Sequence, residues 1–326
     1  MDEFEFIKTC LAPLAGPEGL KLQDDAAVMT PLPGLDLILA TDTMVEGVHF
    51  PNGHYGGDTA ERLLRVNLSD LAAKTGRPVG YLLSIAWPKN VSAELMQGFA
   101  SGLRDVQKAY DFRLYGGDTV STSGPMVVTA TLIGVVPEGQ MVKRAEAQAG
   151  DDIWVTGSIG DACLGLKYVT GHDITPVPDG EALWLWEEAY LRPQPRLLIR
   201  KLLRKYASAS IDVSDGLLAD IGHITTASKL GCKIYTADVP LSAPTQKWLS
   251  GQGDSQKAIV ELVTAGDDYE IVFTASPDHK EDIAREYKNL GVHVACIGQC
   301  MTGNDVTLLD PNNKSFYAEP AGYKHF

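Results

Sequence analysis

The chain has 326 residues, 44% hydrophobic and 21% charged, an ordinary globular composition in a length that exceeds what one hydrophobic core organises, so two domains are expected. A net charge of −14 and a pI near 4.9 leave no basic stripe for a nucleic-acid backbone or an anionic membrane surface, so neither is an expected partner. Five scattered cysteines, Cys10, Cys163, Cys232, Cys296 and Cys300, match neither a disulfide framework nor a zinc-ligand spacing and read as thiols of a reducing compartment. With an acidic start, Met1-Asp2-Glu3, and no apolar run of membrane-spanning length, the chain is expected to be cytoplasmic.

After a short N-terminal helix, Asp36 to Thr41 reads as a buried strand that delivers Asp42. Asp58 to Lys74 has Leu63, Leu64, Val66, Leu68 and Leu71 at helical spacing, with Asn67 and Asp70 three apart on one face, and Gly76 ends it. A strand at Tyr81 to Trp87, a helix from about Ser92 to Tyr110, and strands at Phe112 to Tyr115 and Met126 to Val136 complete a first domain, residues 1–138. The polar stretch Pro137 to Gly150 is the expected boundary region, and residues 139–326 form the second domain. Its strand Ile153 to Gly157 leads into a helix at Asp161 to Val169, followed by a loop with four prolines. Arg192-Pro193-Gln194-Pro195-Arg196 then precedes an amphipathic helix, Leu197 to Tyr206. Ser214 or Asp215 is placed to cap a helix running to about Leu230, and strands follow at Lys233 to Ala237, Tyr269 to Thr274 and His293 to Gly298. Strands and helices mix without strict alternation, which predicts α+β with α/β layers: a mixed sheet with helices, then an α/β domain.

Aspartates recur where apolar strands are expected to stop: Asp25, Asp42, Asp118, Asp212 and Asp215, joined by Asp70 on a helix. Carboxylates gathered in this way repel one another unless cations lie between them, so the pattern points to Mg²⁺ holding phosphate groups, although Asp also favours turns for its own sake. Mg²⁺ takes six oxygens and shares its shell with substrate phosphates, which favours phosphoryl transfer by alignment and charge neutralisation without a covalent nucleophile. The common nucleotide signatures, a GxxxxGK[ST] loop, a strand-linked GxGxxG and the protein-kinase set, are missing. Gly157-Ser158-Ile159-Gly160 is either a plain turn or a phosphate contact. Lys143 and Arg144 are either a solvated pair or a reach toward ATP, and His49 either structural or a substrate contact.

Several of these runs occur in a known order: Thr41-Asp42-Thr43 through His49-Phe50, Val66-Asn67-Leu68-Ser69-Asp70-Leu71, Gly116-Gly117-Asp118-Thr119, Arg192-Pro193-Gln194-Pro195-Arg196, Ile211-Asp212-Val213-Ser214-Asp215-Gly216-Leu217 and Gly322-Tyr323-Lys324-His325-Phe326. Together they resemble the thiamine-monophosphate kinases, of the aminoimidazole ribonucleotide synthetase-like superfamily of ATP users. The resemblance implies transfer of the γ-phosphoryl group of ATP to thiamine monophosphate, giving thiamine diphosphate, in a two-domain homodimer that dimerises through its first domain. It implies Mg²⁺ bound by Asp25, Thr41, Asp42, Asp70, Asp118, Asp212 and Asp215. ATP contacts fall to Gly117, Asp118, Arg144 and Ser214, and substrate contacts to His49 and Asp267.

Two positions depart from the family pattern. Gly266-Asp267-Asp268-Tyr269-Glu270 carries Asp267 where the motif has Glu, and Pro320 stands where some members place an aromatic residue against the substrate, with Tyr317 or Tyr323 as stand-ins. The N-terminus lacks the reactive Cys and Lys loop of selenophosphate synthetase, the C-terminus lacks the cysteine of the hydrogenase-maturation relative, and the motifs of aminoimidazole ribonucleotide synthetase itself are different. A non-catalytic nucleotide binder and a phosphatase using the same metals are the readings from other classes.

Overall fold

The computed structural model describes residues 2–24, 26–30 and 32–316. Its residue contacts separate two compact units, one of Met1–Leu71 with Gly76–Gln140, the other of Ala72–Thr75 with Met141–Phe326.

In the first unit a helical turn α1 (Glu3–Phe6) opens a run of tight turns and is followed by β1 (Leu35–Val45), α2 (Gly57–Ala73), β2 (Arg77–Pro88), α3 (Ala93–Tyr110), β3 (Arg113–Thr122) and β4 (Val127–Pro137). Among the described residues the strands form one mixed sheet in the order β1-β4-β2-β3, antiparallel except for β2 and β3, whose parallel pairing needs the α3 crossover. Helix α3 starts where Ser92 Oγ accepts from Leu95 N, and it stops at Asp111 in the left-handed region. Its buried stripe of Met96, Phe99, Ala100, Leu103 and Val106, with Leu63, Leu64, Leu68 and Leu71 of α2, accounts for much of this unit's core.

The strands run further than apolar character alone implies. Asp42 and Asp118 lie inside β1 and β3, not at their ends, because β4 and β2 supply ladder partners beyond the last apolar residue. Thr41 to Val45 pair with Val127 to Thr131, and Gly117 to Thr122 with Leu83 to Pro88. Pairing depends on backbone groups, so polar Thr and Asp remain in the strand once a neighbour is present.

The second unit comprises β5 (Asp152–Thr156), α4 (Asp161–Val169), α5 (Gly180–Leu191), α6 (Arg200–Tyr206), β6 (Ala209–Asp212), α7 (Leu217–Ser228), β7 (Gly231–Tyr235), α8 (Ala243–Ser250), α9 (Ser255–Thr264), β8 (Ile271–Ala275), α10 (Lys280–Asn289), β9 (Val294–Met301), β10 (Val306–Leu309) and β11 (Ser315–Phe316). Its sheet has the order β11-β10-β7-β9-β5-β8-β6. β5, β6 and β8 are buried along their whole length, and Ile153, Val155, Ile211 and Val272 meet Leu217, Ile221 and Leu262 in one core. The proline-flanked stretch expected to be a loop holds α5, started by Asp179 accepting from Ala182 N and buried through Ala182, Trp186 and Tyr190 at spacing four. Among the described residues no helix is long and apolar enough to cross a membrane.

Candidate active site

In the first unit the period-two geometry of the sheet sorts the predicted ligands onto two faces. Asp42 pairs with Ala130, Ala130 with Leu83, and Leu83 with Gly117, all on the face that packs against α2. There Asn67 Oδ1 accepts from Asp42 N at 3.1 Å while its Nδ2 donates to Leu63 O at 2.9 Å, which fixes β1 to α2, and Asp70 follows one turn along. The next row, Thr43, Thr129, Ser84 and Asp118, faces the opposite, open side, as do Thr41 and Thr131. Asp118 and Gly117 line a cavity of about 650 Å³ between the sheet and the N-terminal segment, whose wall includes Leu11, Gly19, Leu22 and Asp24. Gly117 has φ +156°, and a Cβ there would lie 1.8 Å from Leu83 O, so only glycine lets the two strands run this close.

His49 sits on the loop after β1 with Nδ1 accepting from Val45 N at 3.0 Å. That bond selects the tautomer whose proton is on Nε2, the nitrogen turned away from the strand. Glu46 holds the loop in shape: Oε1 accepts from Gly53 N at 2.9 Å and Tyr55 OH at 2.6 Å, and Oε2 from Met126 N at 2.8 Å. Burial alone would raise the Glu46 carboxyl, but the bonds from Tyr55, Met126 and Gly53 outweigh it and hold it below the usual range. The partner phenol of Tyr55 is pushed up to about 12 by the same bond.

In the second unit Asp212 is the last residue of β6 and is buried. The loop that follows is fastened to the Gly266–Glu270 motif by backbone bonds, Asp267 N to Ser214 O at 2.9 Å, Tyr269 N to Val213 O at 2.8 Å and Val213 N to Glu270 O at 2.8 Å. Asp212, Ser214, Asp215 and Asp267 are thereby brought together. Neither Ser214 nor Asp215 caps α7; the cap position is Gly216, and Asp220 reaches back to accept from Asp215 N at 3.1 Å and Gly216 N at 3.2 Å. Oxygens of Asp215 and Asp220 and a ring nitrogen of His223 lie within 4.8 Å of one another. Burial first, then the Asp212 and Asp215 carboxylates, push the Asp220 carboxyl up to about 7. The carboxylates of Asp212, Asp215 and Asp220, whose mutual repulsion rises with burial, suit a hard divalent cation.

Arg144 is exposed, with its carbonyl accepting from Ser228 Oγ at 3.3 Å, at the last residue of α7. Lys143 is paired with Glu146 at 3.0 Å. The Gly157–Gly160 turn is occupied from within: Gly160 N donates to both oxygens of Asp268, at 3.0 Å each, so an internal carboxylate takes the N-terminus of α4. Burial raises the Asp268 carboxyl well above its ordinary value.

Residues 23–136 match the family described as AIR synthase related protein, N-terminal domain. Across 94% of this chain and 86% of the relative, 41% of residues are identical to the thiamine-monophosphate kinase of Caulobacter vibrioides. The chain belongs to the thiamine-monophosphate kinase family. It is accordingly a kinase. The crystal structure of thiamine-monophosphate kinase from Stenotrophomonas maltophilia K279a superposes with a TM-score of 0.79 at 34% identity, covering 88% of this chain and 89% of that one. AaThiL complexed with AMPPCP and TMP gives 0.78 at 28% identity, covering 93% and 91%. The α+β architecture expected from the sequence is the fold of these thiamine-monophosphate kinases.

Against that family, Asp25, Tyr317, Pro320 and Tyr323 lie outside the described residues. Sequence reasoning passed over Asn67 as a clamp on Asp42, over Glu46 as the organiser of the His49 loop, and over Asp220. Two of the three carried a signal: Asn67 and Asp220 are polar residues at core positions of apolar helices, and buried polar groups need a partner.

Proposed function

We propose that this kinase transfers the γ-phosphoryl group of ATP in line to the phosphate of thiamine monophosphate, forming thiamine diphosphate and ADP in thiamine diphosphate biosynthesis. The observation that carries the reading is the 41% identity along 94% of the chain to a thiamine-monophosphate kinase, supported by likeness to a solved complex with AMPPCP and TMP. Residues of both units take part: a first domain, 1–138, that binds ATP and Mg²⁺, and a second, 139–326, that completes the site.

The phosphate monoester acceptor is largely dianionic at neutral pH, with a second pKa of about 6, so no general base is needed. The obstacle is repulsion between the anions, and bound Mg²⁺ would neutralise it. Asp25, Thr41, Asp42, Asp70, Asp118, Asp212 and Asp215 would hold these ions. The residues of the second unit fit, since Asp212 and Asp215 offer carboxylate oxygens from one loop whose backbone is held in place on both sides. Gly117 and Asp118, in the cavity of the first unit, and Arg144 and Ser214 bind ATP. His49 offers Nε2–H to thiamine monophosphate, and Asp267 contributes a carboxylate one methylene shorter than the family's Glu.

The chain acts as a cytoplasmic homodimer joined through its first domain. The open face of the first sheet supports this, carrying Leu37, Leu39, Leu82 and Val120 exposed beside a row of hydroxyls.

The test is ³¹P NMR of the purified protein with thiamine monophosphate, ATP and Mg²⁺, beside controls lacking the acceptor or containing EDTA. A diphosphate ester and ADP should appear only in the complete mixture. ATP hydrolysis that ignores the acceptor would overturn the substrate assignment.

A further inference from the structure

The loop Asp212–Gly216 must hold two carboxylates at fixed separation while leaving a strand and entering a helix. Gly216 has φ +128°, and a Cβ there would lie 2.5 Å from Thr264 O, so this position has no side chain with which to cap α7. The exposed N–H groups at such a junction need an acceptor. A residue further along the helix supplies it. Asp220 Oδ2 accepts from both Asp215 N and Gly216 N, and Asp220 N donates to Gly216 O at 3.0 Å. The side chain is 1% exposed.

We propose that Asp220 is a positioning residue for the phosphoryl-transfer reaction: by drawing the Asp215 and Gly216 N–H groups inward it fixes the direction of the Asp215 carboxylate and of the Asp212–Gly216 loop. The proposal rests on the reading above that Asp212 and Asp215 hold the cation. One buried oxygen takes both N–H groups, a reach that places the acceptor four to five residues along the helix and not at the cap position itself. From the other side the loop is fastened by Asp267 N and Tyr269 N, and a Cβ on Gly266 would come within 2.2 Å of Ser214 O. The backbone of Val213 and Ser214 is thus fixed by the 266–269 segment and that of Asp215 and Gly216 by Asp220. Without Asp220, the Asp215 half of the loop loses its anchor while the Ser214 half keeps its own.

The test uses the full chain in three forms, wild type, Asp220→Asn and Asp220→Ala, with Mn²⁺ as the probe ion, read by electron paramagnetic resonance with a non-hydrolysable ATP analogue present. Removing groups that orient a ligand typically costs 10- to 100-fold in metal affinity or activity. Asp220→Ala should weaken Mn²⁺ binding by about that factor and lower kcat roughly as much, with KM for thiamine monophosphate within about threefold. Asp220→Asn keeps an oxygen able to accept both N–H bonds and should recover to within about fivefold of wild type.

If the Ala variant keeps wild-type metal affinity and kcat, the proposal is wrong. If a folded Asn variant is as damaged as Ala, charge and not N–H acceptance is the contribution, and the proposal is again overturned. Should Asp220→Ala not fold, Asp220→Ser, too short to hold both N–H groups, replaces it and is read by the same criteria. A wild-type chain that makes no thiamine diphosphate but shows the Mn²⁺ pattern removes the substrate assignment and leaves the positioning role standing.

Discussion

Arg196→Met should destabilise the second unit far more than an ordinary surface change. Arg196 Nε donates to Glu270 Oε2 at 2.6 Å and a terminal nitrogen bonds Oε1, a two-pronged pair in which Glu270 also accepts from Thr156 Oγ1 at 2.6 Å. The Glu270 side chain is 8% exposed and that of Arg196 25%. Asp268, which Gly160 N holds, is buried close by and feels the Glu270 charge. Removing one partner of a fully buried pair costs about 3–5 kcal/mol, because the other charge is left uncompensated. The partial exposure of Arg196 lets water offset some of this, so about 3 kcal/mol is expected, or roughly 6–12 °C in Tm for a unit of this size.

Differential scanning calorimetry at pH 7 measures the loss, and one control identifies its cause. Glu270→Gln in the same background should recover about 1–2 kcal/mol by removing the stranded charge. A Tm loss under 2 °C, or one indifferent to Glu270→Gln, would refute the reasoning.

Asp118→Asn should lower kcat by roughly a hundredfold or more with the fold intact by circular dichroism, since a charge facing the cavity is removed without loss of volume; near-normal turnover would sink its role. Leu39 is 67% exposed on the open sheet face, so Leu39→Glu should be harmless to an isolated monomer yet shift sedimentation from dimer to monomer; an unchanged profile at micromolar concentration counts against dimerisation through that face. Burial pushes the thiols of Cys163, Cys232 and Cys300 up to about 12, and Cys10 is covered, so at pH 8 a thiol reagent should titrate one group quickly, Cys296, and all five after denaturation. Three fast thiols in the native chain would contradict the packing of β7 against β9.

Much of this protein is readable from its letters because the signals are local. The 3.6-residue apolar rhythm places α2 and α3 within a residue of where they lie, and β5 and β8, buried along their whole length, announce themselves as apolar runs. The ordered aspartate runs are enough to point to the family. Tertiary structure decided what depends on a partner distant in sequence. β1 and β3 extend through Thr and Asp because β4 and β2 offer hydrogen bonds there, and the same pairing sends Asp42 and Asp118 to opposite faces. Helix α5 was hidden between prolines although Asp179, Ala182, Trp186 and Tyr190 carry its cap and stripe. Glu46 is one acid among 42 in the sequence, and only the folded chain brings it to Met126 N, 80 residues away. Periodicity and turn chemistry are written into neighbouring residues, whereas sheet register, burial of charge and the direction of a carboxylate are set by contacts that exist only once remote segments have met.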